Sequence, residues 1–193
     1  MPLMLGGGDS KPYIRFSPSI NSWEMSGAEG REEFTWDAPV VFDVHGLQLG
    51  WMKIDTMGRE WAPWASRDQR TPQPSEEHKI GFAINVVSSK LFGDEPVREF
   101  SANTFGNLMF IQELYNTAEA NPEFKSGKVP VVQITGSKAQ KIGKGTTRIP
   151  EFEIKKWVDR PAELGEGSTE APVAQAAPQQ APVETAPASD DEF

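Results

Sequence analysis

Cysteine is absent from the chain, which removes disulfides, thiolate metal sites and thiol nucleophiles and suits a reducing compartment. Imidazole is scarce as well, with only His45 and His78. Apolar runs never exceed a few residues, and the opening Met1-Pro-Leu-Met-Leu-Gly-Gly-Gly8 has neither a basic leader nor a long apolar stretch. We therefore expect no signal peptide and no membrane span. One end also lacks positive charge. Residues 165–193 hold Glu166, Glu170, Glu184, Asp190, Asp191 and Glu192 with no Lys or Arg, which accounts for two thirds of the net charge of −9. The rest of the chain is almost balanced, so the acidity belongs to one segment and bears on partners more than on fold.

What is present fits one domain with an appendage in 193 residues. From about Pro161 the composition turns to Ala, Pro, Gln and Glu, and no aromatic occurs after Gly165 until Phe193. Such a stretch cannot bury enough apolar area to offset roughly 1–2 kcal/mol of backbone entropy per residue, so residues 161–193 are predicted to be a disordered tether. Residues 1–37 carry a glycine-rich opening, a short strand pattern at Tyr13-Ile-Arg-Phe16 and loop chemistry around Ser26–Gly30. We expect them to be an N-terminal extension packing on the main domain.

Between these ends the order is strand, long loop, strand, turn, strand, helix, turn, strand, basic loop, strand. Pro39–His45 continues past Gly46 to Ile54, and a glycine inside a strand predicts a sharp bend. Lys79–Val87 alternates, placing Ile80, Phe82, Ile84 and Val86 on one face. Gly93–Pro96 is turn chemistry before Val97–Ala102, the predicted hairpin partner. The period then changes: Phe105, Leu108, Met109, Gln112 and Tyr115 form a helical stripe, flanked by Ile111, Leu114 and Ala118. Asn103 or Thr104 can cap its start, and Asn121-Pro122 ends it. Val129–Thr135 and Arg148–Val158 are the last two strands, separated by the basic loop 136–147. A helix between the third and fourth of five strands is the connectivity of an OB-fold, a small Greek-key barrel, here predicted over residues 38–160.

Chemistry that would make an enzyme is hard to assemble from these residues. Asp43 with His45, and Glu76-Glu77-His78, each supply half of a metal site without a third and fourth ligand at recognisable spacing. Gly143-Lys144 is followed by Gly145, which spoils a phosphate-binding loop, and no nucleophile elbow or dinucleotide fingerprint occurs. Binding features are denser. The loop after the first strand contains Arg59, Trp61, Trp64, Arg67 and Arg70. Its indoles either stack on unpaired bases, at about 1–3 kcal/mol per base, or fold back to plug the barrel end. Between Glu123 and Glu151 the charges are Lys125, Lys128, Lys138, Lys141, Lys144 and Arg148, with no acid among them. These two segments are the connections that frame the oligonucleotide groove of an OB-fold. Trp51, Lys53, Lys155 and Trp157 are secondary candidates, with Trp157 expected to face outward. Lysines on a loop track phosphates and indoles accept any base, so the expected ligand is single-stranded and read without sequence specificity.

The chain ends Asp190-Asp191-Glu192-Phe193, clustered carboxylates followed by an aromatic ring, a portable ligand for a basic-rimmed apolar pocket. This tip, on a Pro/Ala/Gln tail behind an OB-fold order, resembles the single-stranded-DNA-binding proteins of bacteriophages. Bacterial members usually end in acidic residues and Ile-Pro-Phe; the Ile-Pro pair is missing here. The resemblance implies coating of exposed strands during DNA replication, recombination and repair, in the host cytoplasm for a phage-encoded chain. It also implies recruitment of a polymerase, helicase or primase through Asp190, Asp191, Glu192 and Phe193. No catalysis, cofactor, metal or membrane partner is expected, and self-association stays open. The alternatives are an RNA-binding OB-fold module and a virion or assembly protein whose Trp-bearing loop contacts another subunit.

Overall fold

The computed structural model describes residues 11–27, 30–55 and 58–165. In chain order the elements are β1 (Tyr13–Ser17), β2 (Ser22–Gly27), β3 (Gly30–Glu33), β4 (Val40–Phe42), β5 (Gln48–Asp55), β6 (Gly58–Pro63) and β7 (Lys79–Val87). There follow α1 (Ser89–Phe92), β8 (Val97–Ala102), α2 (Phe105–Glu119), α3 (Pro122–Lys125), β9 (Val129–Ile142) and β10 (Gly145–Val158). The protein is mainly β. Its sheet runs β10-β9-β4-β7-β8-β1-β2-β3, with β5 pairing both β7 and β6. Every pairing is antiparallel except β1 with β8.

The bent first strand is present as β4 and β5, which pair with opposite halves of β7 through Val41↔Val87 and Gln48↔Ala83. The bend is a single 3-10 turn, Val44–Gly46, which Asp43 caps by accepting from the Gly46 N–H at 3.3 Å. Asp43 is buried and also receives a forked pair of bonds from Arg160, at 2.9 and 2.7 Å. Arg160 in turn donates to the Leu164 and Gly165 carbonyls. Residues 161–165, expected to belong to the disordered tether, are instead fastened by a 3-10 turn, Ala162–Leu164. The remainder of that tether, with the tip, lies outside the described residues.

Two larger expectations change. The sheet is open and ten-stranded among the described residues, not a closed five-stranded barrel, because β8 gives its outer edge to β1 in the register Tyr13↔Glu99. The described residues of the expected N-terminal extension are therefore not merely packed on the domain: β1, β2 and β3 continue the sheet. Trp23, on β2, stacks against Phe16 and Phe100 at centroid distances of 4.9 and 5.3 Å, and Phe34 and Trp36 extend the cluster. The basic loop 136–147 is likewise not a loop. It is the outer half of a β-hairpin whose strands run 14 residues each and turn at Gly143-Lys144, with Gly143 at φ 54°. Pairing continues beyond the core from Ser137↔Pro150 to Ile142↔Gly145.

Alternation on β7 buries Phe82, Ile84 and Val86 as expected, and on β8 it buries Phe100 and Ala102. With Phe16, Phe42 and Phe110 these rings fill the centre, each worth about 1.5–3 kcal/mol on burial. The face of α2 that packs inward is Phe110, Ile111, Leu114 and Ala118, with Gly106 and Asn107 at its start. It is rotated from the stripe through Phe105, Leu108, Gln112 and Tyr115. Asn107 holds the helix down by donating to the Phe16 carbonyl at 3.2 Å. No helix among the described residues is long and apolar enough to cross a membrane.

Candidate nucleic-acid interface

Acids lie beside several of the expected phosphate-binding cations. Lys53 faces Glu60 across the β5–β6 hairpin and lies 3.4, 3.3 and 2.9 Å from Asp55, Glu60 and Glu77. The hydrogen bonds that its ammonium donates to Glu77, then Glu60 and Asp55, raise its pKa above the ordinary lysine value. Arg59 pairs with Glu99 and donates to Ser101 Oγ at 2.5 Å. Lys155 pairs with Glu153, and Lys138 lies 3.3 Å from Glu113. These four are neutralised within the protein, by partners far away in sequence for Arg59 and Lys138. Asp43 and His45, weighed as a metal half-site, part company at the 3-10 turn: His45 stacks on Phe124 and meets the Lys128 carbonyl at 3.0 Å. His78 is buried against Ser75 Oγ at 2.8 Å, while Glu77 is committed to Lys53.

The tryptophans are also more enclosed than a stacking loop requires. Residues 58–63 are a strand, with Pro63 tolerated at the end of β6, which pairs only β5. Trp61 is half-buried over Gly50, where an added Cβ would lie 2.8 Å from the indole and 2.9 Å from Pro63. Glycine is required there by close approach. Trp64 is buried, 7% exposed, set edge-on to Trp51 at 5.9 Å and covered by the Arg70 guanidinium at 4.9 Å. Its Nε1 has no hydrogen-bond partner among the described residues. Trp51 is half-buried and donates to the Thr71 carbonyl at 2.8 Å. Trp157, expected to face outward, packs with Phe152 and Ile154 on the core side, because a register shift between Ile154 and Lys156 reverses the alternation.

An aromatic and cationic depression forms nonetheless, on the outer side of α2. A groove of about 830 Å³ has Trp64, Arg67 and Arg70 on one wall and Phe105, Leu108 and Tyr115 on the other. A second, of about 630 Å³, shares Ile80, Phe105 and Leu108 with it and continues to Trp51, His78 and Lys79. Phe105 is 46% exposed, a large ring left in solvent where the two meet. Arg67 is fixed by donating to the Val44 carbonyl at 3.2 Å, with its guanidinium 5.0 Å from the Tyr115 ring centroid. Burial raises the Tyr115 pKa, against the opposing pull of Arg67. Asp68 and Glu119 also line the groove, so its field is mixed and its positive charge sits with the two arginines.

The two expected connections do not open on one uninterrupted trough. Arg67 meets α2 at Tyr115 and Lys138 meets it at Glu113. Residues two apart point about 200° from each other around a helix, so the connections flank α2 on opposite sides. The base of the β9–β10 arm meets α2 at its first turn, where a Cβ on Gly106 would collide with the Arg148 carbonyl oxygen, and Phe105 of that turn also lines the groove with Arg67 and Arg70. Phe105 therefore stands between the arginine-lined groove and the base of the β9–β10 arm. On that arm Lys138 and Lys141, three apart, fall on opposite faces of the strand. Lys141 and Lys144 are exposed and have no acidic partner within 4.0 Å among the described residues. Arg148 donates to Ser137 Oγ at 3.1 Å.

Sequence reasoning thus named Trp64, Arg67 and Arg70 on this groove and Trp51 on its continuation, and missed Phe105, Tyr115 and Lys79 as its lining, while Lys141, Lys144 and Arg148 lie on the separate β9–β10 arm. The helical spacing of Phe105 and Tyr115 was the available signal, and it also described a core face. Asp190, Asp191, Glu192 and Phe193 lie outside the described residues. The chain matches no known family model, no curated protein and no solved structure.

Proposed function

We propose that the chain binds single-stranded DNA without sequence specificity and coats it during replication, recombination or repair. The observation that carries this reading is the joined groove in which Phe105 stands exposed between Arg67 and Arg70 on one side and the arm base at Arg148 on the other. Aromatic faces stack on any base while guanidinium and ammonium groups meet phosphates, which needs no readout of base edges. The order β8-β7-β4-β9-β10, with α2 between β8 and β9, supports an OB-type Greek key as the underlying plan, carrying an added N-terminal hairpin on the edge of β8. Trp64 and Trp51 support the wall of the groove, while Phe105 and Tyr115 offer faces to bases. The acidic tip Asp190–Phe193 serves as a docking peptide for replication proteins.

Anisotropy titration of the full chain with oligo-dT tests the reading, in competition with RNA of equal length and with blunt duplex. Tight dT binding that weakens as salt rises is expected. Preference for RNA would move the function to an RNA module, and salt-insensitive or absent binding would contradict nucleic-acid coating altogether.

A further inference from the structure

The β9–β10 arm has features that coating a single strand does not use. From Thr135 to Thr146 every residue but the half-buried Ser137 is exposed, so neither face of the ribbon is packed for most of its length. Ser137 and Lys138 still reach Asn21 and Glu113 of the body, and the four residues beyond them, Ala139 to Ile142, project about 13 Å at the usual rise per residue. No acid and no aromatic occurs between Thr135 and Arg148, so this element cannot stack on unpaired bases as the groove beside α2 can. Its cations are divided. The register pairs Lys138 with Ile149 on one face and sets Ala139, Lys141, Thr146 and Arg148 on the other, with Lys144 in the turn. At the end stands Ile142, 39% exposed, an aliphatic side chain flanked by Lys141 and Lys144.

A lone strand lying along a ribbon meets one face. Cations on two faces, with an apolar side chain at the outer end of the Lys138 face, fit a ligand that has a backbone on either side and a base pair ahead. Building on the reading of the groove, we propose that the arm is a separation pin: it enters tip-first between the two diverging strands of a DNA fork. Lys138 exchanges its exposed surface pair with Glu113 for one backbone, which costs little, Lys141 and Arg148 face the other, and Ile142 rests on the last base pair. A two-stranded ribbon is about 10 Å thick with its side chains, comparable to the roughly 12 Å opening of a major groove. Apolar side chains wedged at a base step are an established way to unstack it. The protein then recognises the junction and supplies its groove with the strand released there.

The test compares the full chain on oligo-dT with a forked duplex carrying the same length of unpaired DNA, with 2-aminopurine at the first pair of the fork. Wild type is expected to bind the fork about tenfold more tightly and to raise 2-aminopurine fluorescence. Ile142→Ser should lose most of that preference and the fluorescence rise while keeping its dT affinity. Ile54→Ser, at the exposed end of β5, should change neither. Equal affinity for fork and dT, an Ile142→Ser effect of the same size on both, or blunt duplex bound as tightly as the fork would overturn the pin while leaving the coating function standing. Loss of dT binding in wild type would instead remove the reading on which the pin rests.

Discussion

Removing the Phe105 ring separates binding from folding more cleanly than removing any tryptophan. At 46% exposure the side chain has about half of its area in solvent, so Phe105→Ala forfeits about 1 kcal/mol of the 1.5–3 that full burial supplies. For a domain of this size that lowers Tm by about 2–4 °C. Trp64→Ala, at 7% exposure, would cost about 3–5 kcal/mol, a large share of a total stability of about 5–15, and any loss of binding would be ambiguous. Stacking of one base on Phe105 is worth about 1–3 kcal/mol, so the dT dissociation constant should rise about 5- to 150-fold. No charge is removed, so the slope of affinity against salt should stay as in wild type. Anisotropy titration at several salt concentrations, beside a thermal melt, reads all three quantities. A folded Phe105→Ala protein whose affinity falls less than twofold would refute stacking at the mouth of the groove.

Exchanging Lys141 and Lys144 for Gln should flatten the salt slope by about 1.4, near 0.7 for each single-strand phosphate that no longer meets a cation, measured in the same titrations. An unchanged slope would remove the arm from the interface. Arg160→Ala leaves the Asp43 carboxylate, 1% exposed, without its cation. It should destabilise the fold by about 3–5 kcal/mol in urea melts, and adding Asp43→Asn should restore part of that. Tyr115 has its pKa raised in the folded state above the ordinary 10.0. The native state therefore binds more protons than the unfolded one just above pH 10, and the contribution is fully present below pH 10 and lost as pH rises beyond it. Tyr115→Phe should lose less stability than wild type between pH 9 and pH 11 in matched melts, and identical losses would contradict that protonation linkage.

Much of the central scaffold was legible because its period is unmistakable. Strict alternation at Lys79–Val87 produced β7, and the change to helical spacing after Thr104 produced α2. Long-range pairing was not. Nothing local in Tyr13–Ser17 announces that it takes the edge of β8 in parallel, and that one pairing turns a predicted barrel into an open sheet. The segment 136–147 looked like a loop because Gly and Lys dominate it, yet it pairs as a hairpin that extends into solvent. At the site, residue type was a better guide than placement. Arg59, Lys53, Lys138 and Lys155 are the right chemistry for phosphate, but the fold sets Glu99, Glu60 and Glu113 beside the first three, and Glu153 lies two residues from Lys155. Trp157 was misplaced by one residue because a bulge cannot be seen in an alternating pattern. Phe105 and Tyr115 went unnoticed because apolar residues surround α2 on nearly every side, so spacing alone could not say which face was covered.

The claim on which the rest depends is that single-stranded DNA lies across the first turn of α2. Photo-cross-linking of the full chain to oligonucleotides containing 5-iodo-deoxyuridine, followed by peptide mapping, addresses it directly. Adducts at Phe105, Tyr115 or Trp51 that disappear in Phe105→Ala or in high salt are the predicted result. Adducts confined to the Trp23, Phe34 and Trp36 cluster, or none despite measurable binding, would contradict it.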